Sequence, residues 1–340
     1  QPYGIAADNN FYMTNHQDLI FVPEVELKDN QRMAEENPVR VEVERAVAKV
    51  VVSGVPEVVP HGDRIDNLKW GLDVTNQYTY WMRKMTFIAN SGGVPGEMEQ
   101  LNSGYREERY AEDPNFTGFS AWNGGNPAGQ FEYLSGTPEL TKDFDDYDYT
   151  LENTMEAVEQ RHDVTTRVVI SGTYTPNGFG SVATRNSGGI SFYYFKGNAI
   201  RVEAMRDMVN DRNLIPQELR DAGLEQAIND VLAWNPNAFN SPTASFSVGG
   251  LNFYYEGVCY YTVLIRHFSN NMVPVLMGYG RYGVVRNNVY QLSINKIIGP
   301  GQPVINPPGT DPDDEDTSWI SADVNIMRWY IRNQNVEELL

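Results

Sequence analysis

Residues 319–331 read WISADVNIMRWYI, and this stretch carries the period of a β-strand with one buried face. Its apolar side chains recur at every second position, namely Ile320, Ala322, Val324 and Ile326. The phase then changes, and a second apolar set follows: Trp329, Ile331, Val336, Leu339 and Leu340. We therefore predict a C-terminal extension strand within residues 319–340, which must pair with the edge of a sheet.

The run directly before this strand is rich in Pro, Gly and acidic residues, and residues 301–316 read GQPVINPPGTDPDDED. This composition predicts a segment that cannot pack and is kept extended by its own charge. A strand on such a tether finds its edge either on its own body or on a neighbouring molecule. The sequence leaves both alternatives open.

The body of the chain is dominated by strand-like runs, which lie at residues 38–44, 165–175, 191–195, 258–268 and 289–295. Helical patterns are confined to residues 202–209 and 215–232, where Gly223 weakens or breaks the second pattern. Both lie between strands, so they decorate a sheet and are not crossover helices. The pattern predicts an all-β, sandwich-like fold with a small helical insertion.

The charge of the chain excludes some classes of partner. Its 340 residues include 45 acidic and 26 basic ones, which give a formal net charge of -19. This argues against binding nucleic acid or an anionic membrane. No run reaches transmembrane length, and the first residues lack the features of a signal peptide, so an exported protein would be read here in a processed form. The single cysteine, Cys259, is predicted to be a small buried hydrophobe.

No motif predicts an enzyme, a cofactor or a metal site. The acidic clusters at residues 143–148 and 311–316 offer ligands for calcium but do not match a calcium-binding loop, so we interpret them as solvated segments. The four histidines are scattered, which argues against zinc. A carboxylate pair for glycoside hydrolysis stays open. Several loop aromatics could stack on sugars, although core packing is favoured: Trp70, Trp81, Trp122, Tyr105, Tyr110 and Phe119.

Several segments resemble those of the Bacteroidales Mfa-type fimbrillins, the major subunits of short fimbriae (type V pili). Residues 41–50 are similar to the strand that opens the C-terminal domain of that family. The segments LENT at residues 151–154 and VVRNNVYQLSI at residues 284–294 are the more specific ones. The run at residues 324–329 resembles the C-terminal appendage. In this order the resemblance covers most of residues 39–340.

The resemblance implies a transthyretin-like β-sandwich fold and a division of the chain. Residues 1–38 would be the remnant of an N-terminal β-sandwich with a connector, and residues 39–300 the C-terminal sandwich. Residues 301–318 would be the tether and residues 319–340 a donor strand. Only 38 residues precede Val39, so the acceptor groove that the family carries in its N-terminal domain would be missing or incomplete.

For function, the resemblance implies a structural fimbrial subunit. Such subunits are exported as lipoproteins, an Arg-specific protease opens a groove, and the C-terminal strand of a neighbour fills it. Expected partners are other copies of the chain, accessory fimbrial subunits, and proteins or glycans of host or bacterial surfaces. The expected location is an extracellular fimbrium at the outer membrane, serving adhesion, biofilm formation and virulence. The expected donor residues are Ile320, Ala322, Val324, Ile326, Trp329, Ile331, Val336 and Leu339.

Two other classes of function remain open. One is an adhesin or glycan-binding sandwich that does not polymerise, at a fimbrial tip or as a surface lipoprotein. A tip protein needs a groove but no donor strand, so the apolar C-terminal stretch argues against it. The other is a secreted hydrolase. The tail could also fold back on its own sandwich and give a monomer.

Overall fold

The structure is a computed structural model. It describes residues 6–7, 10–15, 23, 28–39, 41–83, 111–116, 127, 129–155, 159–180, 189–267, 281–313 and 320–328. The strands are, in chain order, β1 (Ala6–Ala7), β2 (Asn10–Phe11), β3 (Met13–Asn15), β4 (Val43–Arg45), β5 (Val47–Ser53), β6 (Glu57–Val59), β7 (Arg64–Asp73), β8 (Thr75–Asn76), β9 (Phe131–Glu132), β10 (Tyr147–Leu151), β11 (Arg167–Thr175), β12 (Phe192–Phe195), β13 (Asn198–Arg201), β14 (Phe246–Val248), β15 (Leu251–Tyr254), β16 (Val258–Leu264), β17 (Asn288–Ile298) and β18 (Ile320–Arg328).

The helices are α1 (Gln31–Glu36), α2 (Val202–Asn210), α3 (Gln217–Asp221) and α4 (Leu224–Trp234). Helices α2 to α4 form the insertion that the sequence predicts. Gly223 separates α3 from α4 with a φ of 93°, a left-handed conformation that favours glycine. Helix α1 falls in a stretch that the sequence indicates as a polar connector. Its start is fixed by Asn30, whose side chain accepts a hydrogen bond of 3.0 Å from the backbone N–H of Met33.

The first sheet has the order β10-β5-β17-β18, and β6 also pairs with β17. Strand β17 is its centre. It runs parallel to β5 and β6 on one side and antiparallel to β18 on the other. The second sheet has the order β16-β11-β7, with antiparallel pairing and a bulge between Ser171 and Thr173.

The two sheets enclose the main core. Its largest fully buried side chains include Trp70 from β7, Tyr174 from β11 and Tyr290 from β17. Inward residues alternate with outward ones along β17, as they do in a strand that packs against a second sheet. The fold is thus the all-β sandwich that the sequence predicts.

A third sheet, of order β13-β12-β15-β14, joins the sandwich to the helical insertion. Its two faces serve different cores. Phe192 and Tyr254 stack in the main core with ring centroids 4.7 Å apart. Tyr193 and Phe253, which point the other way, pack with the helices in a second core. The helices therefore cover one face of a sheet, as predicted.

The described part of residues 1–38 clamps onto the sandwich. Strand β3 pairs antiparallel with β4, and the ring of Phe11 meets that of Tyr149 edge-on at 5.1 Å. The backbone N–H of Ala46 donates to the carbonyl of Tyr12 at 3.0 Å. Whether this segment also belongs to a preceding domain stays a prediction.

The prediction that residues 301–316 cannot pack is wrong for residues 301–313. Gly301, Pro303, Ile305 and Asp313 in this run are buried. The reason is non-local, because backbone groups that are distant in sequence bond to this run and an apolar patch on the second sheet receives Ile305. Residues 314–319 lie outside the described part of the chain.

Candidate functional site

The candidate site is the strand pair β17–β18. Strand β17 is fixed at its start by Asn287, which has a φ of 61° that asparagine tolerates. The backbone N–H of Asn287 donates to the carbonyl of Val47 at 2.9 Å, and its side-chain oxygen accepts from the backbone N–H of Arg45 at 3.3 Å. From there Leu292 and Ile294 point into the main core. These contacts set which edge of β17 faces β5 and which faces β18.

Strand β18 stands at the end of the strand order, next to β17. The pairing runs from Asn288 opposite Arg328 to Ile297 opposite Ile320. A register shift between Ile294 and Lys296 marks a bulge. A terminal strand that is held on one side by a central strand is the kind of element that can be exchanged between copies of a chain.

The alternation predicted for β18 is present. Ile320 is 7% exposed and belongs to the main core, and Ala322 and Val324 pack against that core. The outward positions are exposed: Ser321, Asp323, Asn325 and Met327. Full burial of one isoleucine or valine side chain contributes roughly 1.5–3 kcal/mol, from which the entropy of ordering the strand must be subtracted.

The remaining predicted donor residues are placed only in part. The backbone of Ile326 lies opposite Tyr290 in the strand pair. Four of the predicted donor residues lie outside the described part of the chain: Trp329, Ile331, Val336 and Leu339. The structure therefore brings together the first half of the predicted apolar set on the β17 edge.

The run before β18 is attached by backbone hydrogen bonds to strand β16 and to the loop after β9. Gln302 and Tyr260 exchange backbone hydrogen bonds of 2.8 and 2.9 Å. Gly136 and Ile305 do the same at 2.9 and 2.7 Å. Ile305, 2% exposed, packs beside Val169 on the outer face of that sheet. The run therefore crosses the sandwich in a fixed path.

A third attachment lies at Asp313, which is 2% exposed. Thr165 donates from its hydroxyl to Oδ2 of Asp313 at 2.6 Å, and the backbone N–H of Asp313 donates to the carbonyl of Gln160 at 3.2 Å. The backbone N–H of His162 donates to the carbonyl of Asp311 at 3.1 Å. Asp313 in the C-terminal acidic cluster is thus an anchor, which corrects its interpretation as a solvated residue.

The other acidic cluster, at residues 143–148, is paired with lysines. Lys69 Nζ lies 2.5 Å from Asp143 Oδ1, and Lys142 Nζ lies 3.8 Å from Asp148 Oδ1. Within the described residues, no group of three or more His, Cys, Asp or Glu side chains could hold a metal ion.

The two segments that carry the family resemblance meet at one end of the β17–β18 pair. Asn153 and Val284 exchange backbone hydrogen bonds of 2.8 and 2.7 Å. Beside them, Arg286 Nε lies 2.9 Å from Glu152 Oε2, with both side chains buried. Arg83 adds a second cation, 3.9 Å from Glu152 Oε1. Sequence reasoning found both segments but not their contact.

The sequence analysis did not predict the buried polar cluster around Asp113. Its carboxylate accepts from Asn76 Nδ2 and Asn115 Nδ2, both at 2.5 Å, and from the backbone N–H groups of Asn115 and Thr154 at 2.8 and 3.2 Å. Burial raises the pKa of Asp113 to about 7, against the lowering effect of these hydrogen bonds. No sequence signal marks this cluster, because Asn76, Asp113 and Thr154 are far apart along the chain.

Cys259 and two of the candidate aromatics can be placed. Cys259 is buried, and burial raises the pKa of its thiol to about 12, so the prediction of a small buried residue is confirmed. Trp70 lies in the core and donates from Nε1 to the carbonyl of Asp143 at 2.9 Å. Trp81 is 68% exposed and meets the ring of Tyr12 at 4.6 Å. The others lie outside the described residues: Trp122, Tyr105, Tyr110 and Phe119.

No helix within the described residues is both long and apolar enough to span a membrane.

Comparison with known families matches residues 252–335 to the family "Major fimbrial subunit protein type IV, Fimbrillin, C-terminal". Over these residues the family match agrees with the resemblance seen in the sequence. That family is one of structural subunits, which agrees with the prediction that the chain is not an enzyme. It includes β16, β17, the attached run and β18. No curated protein matches the sequence closely enough to count as a relative.

Solved structures that match the chain include a fimbrilin (fimA) from Porphyromonas gingivalis W83, with 16% identity, a TM-score of 0.37, and coverage of 86% of this chain and 60% of that one. Another is a "putative cell adhesion protein" from Parabacteroides distasonis ATCC 8503, with 13% identity, a TM-score of 0.31, and coverage of 86% and 55%. A third, from Bacteroides eggerthii DSM 20697, bears the same description, with 11% identity, a TM-score of 0.30, and coverage of 85% and 57%. The chain thus spans 55% to 60% of the length of these three proteins.

Proposed function

We propose that this chain is part of a structural subunit of a bacterial surface fimbria, which polymerises by donating its C-terminal strand to a neighbouring subunit. The observation that carries the proposal is the extent of the fimbrillin match. Residues 252–335 contain both partners of the β17–β18 pair and the run that joins them. The part of the chain that matches the family therefore includes the strand that we propose is donated.

The geometry of β18 suits a donated strand. Among the described strands it stands at the edge of its sheet, so leaving requires one row of hydrogen bonds to β17 to break, and a new edge can replace that row. Ile320, Ala322 and Val324 offer side chains at alternate positions that fill pockets of an acceptor. In the proposed filament the second apolar set extends the contact: Trp329, Ile331, Val336 and Leu339.

The proposed biological setting follows from the family. The subunit would lie in an extracellular fimbrium at the outer membrane, with other copies of itself and accessory fimbrial subunits as partners. The filament would contact proteins or glycans of host or bacterial surfaces and support adhesion, biofilm formation and virulence. A net charge of -19 suits a protein that is exposed to the medium and stays soluble before assembly.

A second candidate is a self-complemented adhesin that does not polymerise. The observation in its favour is that β18 lies on β17 of its own chain with a register of nine paired positions. In that arrangement the edge of β17 is already covered. The two candidates differ in one measurable property, namely whether β18 leaves its own body.

The test compares two charge substitutions on opposite faces of β18, in the gene product that contains residues 1–340. Val324→Asp places a carboxylate on the face toward the core, and Asn325→Asp places the same carboxylate on the exposed face. After treatment with an Arg-specific protease, filaments are counted by negative-stain microscopy, and heat-sensitive ladders are measured on denaturing gels. We expect filaments from the unmodified protein and from Asn325→Asp, and none from Val324→Asp.

A truncation after Asp316 serves as the reference for complete loss of the strand, and a thermal melt of each variant verifies that the body is folded. Filaments from the truncated protein would overturn strand donation by this tail. Folded protein that never assembles in any form would favour the self-complemented adhesin.

A further inference from the structure

We infer that a cavity on the outer face of the second sheet binds a neutral sugar ring of a surface glycan. Strands β11 and β16 form its floor, with Ser171, Val258 and Tyr260. One wall is the segment at residues 137–140, which follows β9, and the other is the segment at residues 243–245, which precedes β14. The inference rests on the proposed contact with surface glycans and gives that contact a site. It does not require β18 to be donated.

The cavity has the size of a small-molecule site, and its walls are fixed. Its volume is about 380 Å³, and such sites typically measure about 300–1,000 Å³. The hydroxyl of Tyr260 donates to the carbonyl of Pro138 at 3.2 Å, which ties the first wall to the floor. The hydroxyl oxygen of Ser245 accepts from the backbone N–H of Tyr255 at 2.9 Å, which ties down the second wall. The cavity is therefore formed before a ligand arrives, so little ordering is required on binding.

The polar groups of the cavity suit a ligand with several hydroxyl groups. Ser171 on the floor and Thr137 and Thr243 on the rim carry hydroxyls that form no hydrogen bond with another described residue. Each of these hydroxyls can both donate and accept. Glu139 adds a carboxylate that only accepts and forms no ion pair within the described part of the chain. None of the described lining residues is basic, so an anionic ligand finds no cation there.

The apolar groups of the cavity suit the C–H face of a sugar ring. Tyr255 is half-buried, and it lines the cavity while it packs against the second core. Leu140 and Val258 belong to the apolar cluster around Tyr260. A pyranose carries hydroxyls around its rim and C–H groups on its faces, so it uses both kinds of lining group at once. A purely apolar ligand would leave the hydroxyls and the carboxylate without partners, which costs affinity.

An extended peptide is the alternative occupant, and the backbone argues against it. Strand β16 stands at the end of the order β16-β11-β7, so its outer edge is where a peptide strand would add. At Tyr260 this edge is already taken, because Gln302 exchanges backbone hydrogen bonds of 2.8 and 2.9 Å with it. A peptide would have to displace the attached run. The cavity therefore offers side-chain recognition and not strand addition.

The test measures sugar binding to unassembled protein, in the gene product that contains residues 1–340. The probes are the methyl glycosides of glucose, galactose, mannose, fucose and N-acetylglucosamine, and binding is detected by saturation-transfer NMR. We expect transfer to the ring protons of at least one neutral glycoside, and weaker transfer to the anionic methyl glucuronide. Absence of transfer to every neutral glycoside would overturn the inference. So would binding of an alternating Val-Thr peptide in place of all glycosides.

Substitutions in the cavity test its location. Glu139→Gln keeps the shape of an exposed side chain but removes a charged acceptor, and we expect about tenfold weaker binding. The matched control is Glu132→Gln, which makes the same change on an exposed side chain of β9 outside the cavity, and we expect unchanged affinity. Ser171→Leu fills the floor and should abolish binding. Thermal melts verify that each variant is folded, and equal affinities in all variants would overturn the assigned site.

The variant Ser171→Leu also separates this inference from the proposed strand donation. We expect it to assemble like the unmodified protein, because Ser171 lies on the second sheet and β18 on the first. Filaments from unmodified protein that binds no glycoside would overturn the sugar site and leave strand donation intact. Glycoside binding by a protein whose truncation after Asp316 still assembles would support the sugar site and overturn strand donation. Competition by a desialylated host glycoprotein or by a bacterial polysaccharide then identifies which surface carries the bound sugar.

Discussion

Arg286 and Glu152 lie 134 positions apart and form a buried ion pair, with Nε 2.9 Å from Oε2 and side chains that are 1% and 3% exposed. Glu152 follows the end of β10, and Arg286 lies two residues before β17. The pair therefore ties the edge strand of the first sheet to the strand that receives β18. The guanidinium also donates to the hydroxyl of Thr79 and the carbonyl of Tyr80, each at 3.1 Å.

Replacing Glu152 by glutamine should destabilise the protein strongly. The change leaves the cation of Arg286 buried without its anion, which typically costs about 3–5 kcal/mol. The matched control is Asp143→Asn, which breaks an exposed pair with Lys69 whose side chains are 65% and 36% exposed. Exposed pairs contribute roughly 0–1 kcal/mol. Urea unfolding measures both, and equal losses would contradict a structural role for the buried pair.

The sequence predicts the elements whose signal is local. The alternation along β18 and β17 and the break at Gly223 appear in the structure because each depends on neighbouring residues. The prediction for residues 301–313 is wrong for the opposite reason. Proline and acidic residues lower the tendency of this run to form a helix or strand by itself. The hydrogen bonds that hold the run, however, come from Tyr260, Gly136 and Thr165, which are distant in sequence.

The candidate site was predictable as a strand but not as a pair. Alternate apolar residues such as Val324 mark a strand with one buried face, whichever molecule supplies the partner. The partner depends on how β17 is placed between β5 and β18, which no local pattern encodes. The Asp113 cluster was even harder to predict from the sequence. Single Asn and Asp residues are common in loops, and they show no regular spacing that would mark a buried cluster.

The anchor between Thr165 and Asp313 predicts a measurable coupling. Thr165→Val removes the donor from a buried carboxylate oxygen and should cost about 1–3 kcal/mol in urea unfolding. Combined with Asp313→Asn, the two losses should be non-additive by at least ~0.5 kcal/mol, because the residues are in contact. The control is Thr243→Val at an exposed position, which should add to Asp313→Asn. Additivity in both cycles would show that the hydrogen bond does not hold the run.

Two glycines with positive φ separate backbone strain from steric clash. Gly178 has a φ of 76° and open space where the Cβ of an alanine would lie, so Gly178→Ala should cost only the left-handed conformation, about 1–2 kcal/mol. Gly301 has a φ of 60°, and a Cβ there would clash with the carbonyl oxygen of Tyr260 and lie 2.7 Å from Cε1 of Tyr261.

Gly301→Ala should therefore cost a further ~1–3 kcal/mol beyond the loss at Gly178, because backbone and ring must move. Thermal and urea unfolding of the two variants give the comparison. Similar losses would mean that the chain at Gly301 can shift away from Tyr260 without disturbing the start of the attached run.

The buried Asp113 predicts a pH dependence of stability with a definite sign. Its pKa is raised from 3.8 to about 7 in the folded state, so between these values the folded protein holds a proton that the unfolded chain has released. Stability is then lost as pH rises through this window, and the contribution of Asp113 is fully present only below the unfolded pKa. Above pH 7 the stabilising contribution of Asp113 is completely lost.

The measurement compares the unmodified protein with Asp113→Asn, which does not titrate, between pH 5.5 and pH 8. This range stays above the isoelectric point of 4.6, where the protein would associate. One pKa unit corresponds to about 1.4 kcal/mol, so the stability of the unmodified protein relative to the variant should fall by about 2 kcal/mol over this range. The comparison cancels the titration of the other carboxylates. A constant difference would mean that the four hydrogen bonds keep Asp113 ionised in the folded state despite its burial.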